Sequence, residues 1–134
     1  MFFMRKNKLY QGKNFSVSRY NLQVQGKKIK QEIIEQKNAA AILALENEQV
    51  ILVKQFRYPL GYILEIPAGM VQNRETTKQC AVRELEEETG YKAKNVKHLM
   101  KMYPTLGYNL QFIDCFVSTD IKNTGKRKLD RSEE

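Results

Sequence analysis

From Glu75 to Thr89 the chain contains neither glycine nor proline, and Gly90 follows where a left-handed helix cap belongs. The run predicts a helix whose last turns are crowded with glutamates. Residues three and four apart share a helix face, so Glu84 neighbours both Glu87 and Glu88. Ala81 and Leu85 fall together on another side, suited to packing on a sheet. Arg83 stands four residues before Glu87 and can pair with it. Glu75, two turns before Arg83, is near enough for the arginine to brace the loop end. Like charges at this spacing cost a helix ~0.2–0.5 kcal/mol per pair. The C-terminal end is already negative and is the wrong place for carboxylates. Glutamine or lysine would serve the helix as well, so the placement points to a cation that offsets the repulsion. Carboxylates without histidine or thiolate companions suit a hard ion, Mg²⁺ or Mn²⁺, which keeps several waters and is shared with phosphates. For an isolated cluster, a solvated acidic face is the competing reading.

Around this helix the sequence reads as short strands. Phe15–Leu22 and Lys27–Gln36 are expected to pair across Gln25-Gly26. Ala39–Leu45 and Gln49–Phe56 flank the polar tip Glu46-Asn47-Glu48. Tyr62–Pro67, Val96–Tyr103 and Phe112–Ser118 are further strand candidates. Gly69–Arg74 reads as loop, and the tail from Lys122 is polar and lysine-rich. Strands interrupted by one strong helix define an α+β class. Residues 1–36 are expected as a small N-terminal β element and 37–134 as the main domain.

Composition excludes several classes. With 134 residues and 42% hydrophobic content, the chain can build a core for about one domain. No apolar run approaches the ~18 residues of a membrane span. The start MFFMRKNK places apolar residues before basic ones, the reverse of a signal peptide. Cys80 and Cys115 lack metal-ligand spacing and read as small core residues, reduced in a cytoplasmic protein. The single histidine, His98, excludes a multi-histidine metal site and argues against a Ser–His–Asp triad; it reads as surface or structural. The net charge of +8 points to anionic partners. Nucleic acid is not expected, because the basic residues form no dense helical stripe and no RNA- or DNA-binding motif is present.

Ala68-Gly69 precedes the loop, and glycine lets the backbone approach a ligand closely. The whole pattern is Gly69, five residues, Glu75, seven residues, Arg83-Glu84-Leu85, any residue, Glu87-Glu88, any residue, Gly90, then apolar Tyr91. It resembles the Nudix box at every fixed position. That resemblance implies an α/β/α sandwich around a mixed central sheet, with the box as loop–helix–loop. It implies that Glu84 and Glu88 are the main metal ligands, that Glu87 is an additional one, and that the backbone carbonyl of Ala68 is another. Gly69, Glu75, Arg83 and Gly90 take the structural places of the motif.

The flanks are similar to the ADP-ribose pyrophosphatases and related nucleoside-diphosphate-sugar hydrolases, over most of residues 8–118. Val53–Val71, VKQFRYPLGYILEIPAGMV, and ETGY after the helix carry this resemblance. LYQGKNFSV and QGKKIKQEIIE resemble a small β element that pairs with a second subunit, implying a homodimer. Arg57 matches an arginine that grips substrate phosphates, for which a guanidinium fork is suited; a salt bridge at a strand end is its other reading. Glu65 is open between the active site and a lysine partner. Tyr58 and Tyr62 are open between base stacking and core, and Tyr10 or Phe15 is a candidate for stacking from the partner subunit.

Two departures stand out. The branch carries a catalytic glutamate on the loop after Pro104, and this chain has Gln111 there. Glutamine can orient water but cannot take its proton. Glu87 is the nearest substitute base, then Glu133 or Glu134. The branch also continues for some tens of residues beyond the point where this chain ends, so the domain is short at its C-terminus. The implied activity is Mg²⁺-dependent cleavage of the pyrophosphate of ADP-ribose, or a related nucleoside-diphosphate sugar, to a nucleoside monophosphate and a sugar phosphate. The alternative is a catalytically weak domain that binds a nucleotide as a sensor or regulatory module.

Overall fold

The structure, a computed structural model, describes residues 2–128. They divide into two compact units: residues 2–38 with 103–112, and residues 39–102 with 113–128.

In the first unit, β1 (Phe2–Gln11), β2 (Phe15–Val24) and β3 (Lys27–Gln36) form an antiparallel meander. β2 and β3 pair without a break from Phe15 opposite Gln36 to Val24 opposite Lys27. Gln25 and Gly26 turn the hairpin with φ of 49° and 77°, the left-handed pair that a two-residue turn needs. Residues 103–112 join this unit: the Ile34 amide donates to Tyr108 O at 2.7 Å, and Gln31 Nε2 to Gly107 O at 3.2 Å.

The second unit is built on β4 (Ala39–Glu46), whose AAAILAL sequence is largely buried. β4 runs parallel to β11 (Ile113–Ser118), and β11 pairs antiparallel with β10 (Lys97–Met102). Along its other edge β4 takes β8 (Ala68–Met70) at its start and β5 (Gln49–Val50) at its end, both antiparallel. Asn47 and Glu48, with φ of 49° and 65°, form the tip between β4 and β5. The result is the expected mixed sheet. β6 (Val53–Arg57) pairs with β7 (Gly61–Glu65), and β9 (Tyr91–Lys94) with β12 (Asp120–Asn123). Helix α1 (Thr77–Thr89) packs Cys80, Ala81 and Leu85 into a core with Ala40, Ile42, Ala44 and Phe116.

Several sequence expectations shift. The Gln49–Phe56 strand splits into β5 and β6, and the Tyr62–Pro67 candidate becomes β7. The Gly69–Arg74 loop gives up its first residues to β8. The helix starts two residues later than Glu75, because Thr76 is its cap. Among the described residues α1 is the one helix, so these residues supply a single helical layer of the implied sandwich.

Glu35 ties the meander together. Its carboxylate accepts from Lys6 Nζ at 2.6 Å, from Ser18 Oγ at 2.6 Å and from the Tyr20 hydroxyl. Burial alone would raise its pKa, but these donors hold it down to about 2. The folded value lies below the unfolded one, so the contribution to stability is complete above the ordinary glutamate range and is lost as pH falls toward 2. Glu35→Gln should therefore destabilise the chain at neutral pH, and the gap in urea midpoint should narrow steadily below about pH 4.5. A gap that stays constant down to about pH 3 would reject this ionic account.

Candidate active site

The loop and helix that carry the carboxylates are fixed from both sides. β8 places Gly69 opposite Ala40 on the central strand. Thr76 caps α1 with a reciprocal pair: its hydroxyl accepts from the Gln79 amide at 3.1 Å, and Gln79 Oε1 accepts from the Thr76 amide at 2.8 Å. At the other end Gly90, with φ 78°, turns the chain out of the helix and donates its N–H to Glu86 O.

Between these fixed points Arg83 gathers three glutamates. Its Nε donates to Glu75 Oε1 at 2.8 Å and its Nη2 to Glu75 Oε2 at 3.1 Å. Its Nη1 donates to Glu84 Oε1 at 2.6 Å and to Glu87 Oε2 at 2.9 Å. Glu75 also accepts from the Gln72 amide at 2.9 Å. The Arg83 bonds hold the Glu75 pKa below the usual carboxylate range against the opposing effect of burial. The same bonds, led by Glu75, raise that of Arg83. Cys80 lies underneath, its thiol pushed up to about 12, first of all by burial. It is an inert packing residue.

Gly69 is required by close approach. A Cβ there would lie 2.1 Å from Glu84 Oε1 and 2.2 Å from its carboxyl carbon, so the Glu84 carboxylate rests on bare backbone. Glu88 is 3% exposed at the end of the helix. Burial of a charge on this scale is costly without partners or a metal. Among the described residues no three His, Cys, Asp or Glu side chains form a ready ligand cluster. Arg83 holds the Glu84 and Glu87 oxygens instead. The donors fit a hard cation nonetheless: they are anionic oxygens, and Gly69 brings the Ala68–Gly69 backbone against the carboxylate of Glu84.

The remaining expected residues sort clearly. Arg57 and Glu65 bond diagonally across the β6–β7 hairpin, Arg57 standing opposite Gly61 and Glu65 opposite Val53: Arg57 Nε donates to Glu65 Oε1 at 2.9 Å, and Nη2 donates to Oε2 at 2.7 Å. Arg57 Nη2 also reaches Gln55 Oε1 at 2.7 Å. Glu65 thus pairs with arginine rather than lysine, and its pKa is lowered first by that bond. Tyr58 and Tyr62 are exposed rather than core; Tyr62 sits edge-on to Phe56 and under the Lys54 ammonium. Tyr10 and Phe15 contact each other and are also exposed. Gln111 belongs to the first unit, and both ends of its amide are used there: Nε2 donates to Lys37 O at 2.7 Å, and Oε1 accepts from Gln36 Nε2 at 2.9 Å. Glu133 and Glu134 lie outside the described residues.

Sequence reading passed over Asp114. This buried carboxylate on β11 accepts from Thr77 Oγ1, in the first turn of α1, at 2.8 Å, and lies 3.0 Å from His98 Nε2. Burial alone would raise its pKa; Thr77 and His98 outweigh burial and lower it. An acid inside the apolar stretch Ile113–Ser118 was the available signal, and it also gives His98 its structural role.

A family model described as the NUDIX domain matches residues 35–133. The ADP-ribose pyrophosphatase of Bacillus subtilis (strain 168) is 40% identical over 111 residues, covering 81% of this chain and 60% of that protein. The ADP-sugar pyrophosphatase of Mus musculus is 61% identical over 49 residues, covering 36% of this chain and 22% of that protein. A solved structure titled as an ADP compounds hydrolase superposes with a TM-score of 0.78 at 20% identity, covering 96% of this chain and 70% of that one, a likeness of fold. The chain thus spans 60% of the length of the Bacillus relative.

The Gly69 contact generates a test. The Glu84 carboxylate is the end of a flexible side chain and can swing away from a new methyl group, so Gly69→Ala should leave the melting temperature within a few degrees of wild type. It should also weaken Mn²⁺ binding by roughly tenfold or more, since Glu84 is displaced. Calorimetric titration with Mn²⁺ checks this, and unchanged affinity would show that the close approach has no bearing on ligation.

Proposed function

The chain belongs to the Nudix family, and on that premise we propose that it hydrolyses the pyrophosphate of ADP-ribose or a related nucleoside-diphosphate sugar, releasing a nucleoside monophosphate and a sugar phosphate. The observation that carries this reading is the Arg83 cluster, which sets Glu75, Glu84 and Glu87 beside the bare backbone of Gly69. The named activities of the Bacillus and mouse relatives support the substrate class.

Glu84, Glu87, Glu88 and the Ala68 carbonyl are the residues to hold Mg²⁺ or Mn²⁺. Such an ion neutralises pyrophosphate charge and acidifies a bound water. Glu75 and Arg83 keep the ligand loop and helix in register. Arg57 offers a fork to the phosphates, and its bond to Glu65 holds the guanidinium flat until phosphate oxygens compete for it. Attack on phosphorus then depends mainly on positioning and charge stabilisation. Gln111 cannot serve as base, and its amide is already engaged. Glu87, with a side chain 40% exposed, is the candidate to receive the water's proton. General-base help is worth about 10²–10⁴-fold, so a site served poorly on this point is slow rather than dead.

Two further parts of the proposal concern setting. The buried thiols Cys80 and Cys115 are free, which suits a reducing cytoplasm. The exposed Leu9, Tyr10, Phe15 and Ile29 of the meander suit pairing with a second copy of the chain. If so, the chain is a dimer in light scattering at micromolar concentration; a monodisperse monomer there would remove this part.

The activity itself is tested with a panel of nucleoside-diphosphate compounds and Mg²⁺, scored for released phosphomonoesters. ADP-ribose or an ADP-sugar is expected to lead, with Glu88→Gln lowering turnover by orders of magnitude while the protein stays folded. Near wild-type turnover of Glu88→Gln at saturating Mg²⁺ would reject the assignment of the carboxylates.

A further inference from the structure

Helix α1 ends with carbonyl groups that no residue of the helix can satisfy, and with no basic residue in its last turn. The segment after β12 meets both needs. β12 runs antiparallel to β9 with Asn123 opposite Tyr91, which returns the chain to the point where the helix stops. The Thr124 amide donates to Gly90 O at 2.7 Å, and its hydroxyl reaches Gly90 O at 3.0 Å and Glu86 Oε1 at 3.1 Å. The Lys128 amide donates to Glu87 O at 2.6 Å, and Arg127 Nε to Glu88 O at 3.1 Å. Arg127 Cβ lies only 3.7 Å from where a Cβ on Gly90 would be, so the two backbones are in close contact.

We propose that Thr124–Lys128 is a clamp that sets the last helical turn, and with it Glu87 and Glu88, for cation binding, and that Arg127 is its positioning residue. This rests on the reading of Glu87 and Glu88 as ligands. The main chain of those two residues is what the clamp grips. A terminal turn frays readily, and here Glu88 adds a further like charge beside Glu84 and Glu87, whose side chains Arg83 holds without gripping the main chain of the turn. Without the clamp the carboxylates would have to be ordered by the metal itself, at the expense of affinity. Arg127 also brings positive charge to the negative helix end. Charge and positioning make opposite predictions for removal of the side chain. A cation that acts only by its field repels metal, so its loss would tighten binding; a positioning residue, when lost, weakens it.

The test is titration of the full chain with Mn²⁺, followed by electron paramagnetic resonance, with thermal melts in chelator as a control for folding. Arg127→Met keeps the aliphatic stem and removes donor and charge; Arg127→Lys keeps a donor and the charge. The Met variant should bind Mn²⁺ roughly tenfold more weakly, as expected for loss of an outer partner of a ligand, and the Lys variant should recover most of that loss. Unchanged or tighter binding by the Met variant overturns the clamp. If the Met variant does not fold, Thr124→Val, nearly isosteric and lacking the hydroxyl, is read by the same criterion. Wild-type protein that fails to bind Mn²⁺ overturns the ligand reading and the clamp with it. Binding by wild type with no change in Arg127→Met overturns the clamp alone.

Discussion

The guanidinium of Arg83 is the constraint on which the rest of the site depends. Five hydrogen bonds run from its nitrogens to Glu75, Glu84, Glu87 and Met70 O. Repulsion within the carboxylate group is worth a few tenths of a kcal/mol per exposed pair, rising as water is removed. Charge-assisted bonds to a planar fork are roughly twice as strong as neutral ones, and this fork bonds Glu75 at two points at once. The attraction prevails, and the three acids are collected rather than splayed. Lysine carries the same charge but has no plane with which to hold three carboxylates at fixed angles. Arg83 also joins the loop to the helix, since Glu75 lies before the cap and Glu84 lies within α1.

The cluster would be loose without the sheet beneath it. Gly69 is on β8, hydrogen-bonded to β4, and Glu84 is on a helix whose Cys80, Ala81 and Leu85 lock into the core beside Ala40 and Ile42. Close-packed cores resist even small displacements. The spacing between the Gly69 backbone and the Glu84 carboxylate is therefore set by packing, and the missing Cβ is what makes that spacing possible. Asp114 adds a polar tie from β11 to Thr77 at the start of the same helix.

The parts that could be read in the sequence are those with local causes. The helix, its Gly90 cap and the carboxylate face follow from spacing alone, and the turns at Gln25-Gly26 and Asn47-Glu48 follow from polar or glycine tips between apolar runs. The helix start was misplaced by two residues although the signal was present: Thr76 and Gln79 form a capping box, and Glu75 belongs to the loop. β8 and β12 were missed because strands of three and four residues, AGM and DIKN, show no alternation. β9, YKAK, lies hidden between a helix cap and Asn95 at φ 49°. The partnership of Arg57 with Glu65 is a diagonal one, since Arg57 stands opposite Gly61 and Glu65 opposite Val53, and the side-chain reach that joins them is not something composition can supply. The bonds that occupy Gln111 come from Gln36 and Lys37, 75 and 74 residues away in sequence.

The end of α1 shows why such distant contacts matter to a charged site. A helix that presents glutamates in its last turn works against its own dipole, and the local remedy, lysine or arginine in that turn, would place cations among the ligands. Here the remedy comes from Thr124–Lys128, 34 to 39 residues from the groups its side chains bond. Apart from the Glu86 side chain it bonds carbonyl oxygens, on the main-chain side, and it leaves the ligand carboxylates to Arg83 and a metal. The two arginines therefore divide the work by the atoms they hold: Arg83 orders side chains, and Arg127 with the amides of Thr124 and Lys128 orders backbone. A ligand helix needs both, because a carboxylate is only as well placed as the turn that carries it.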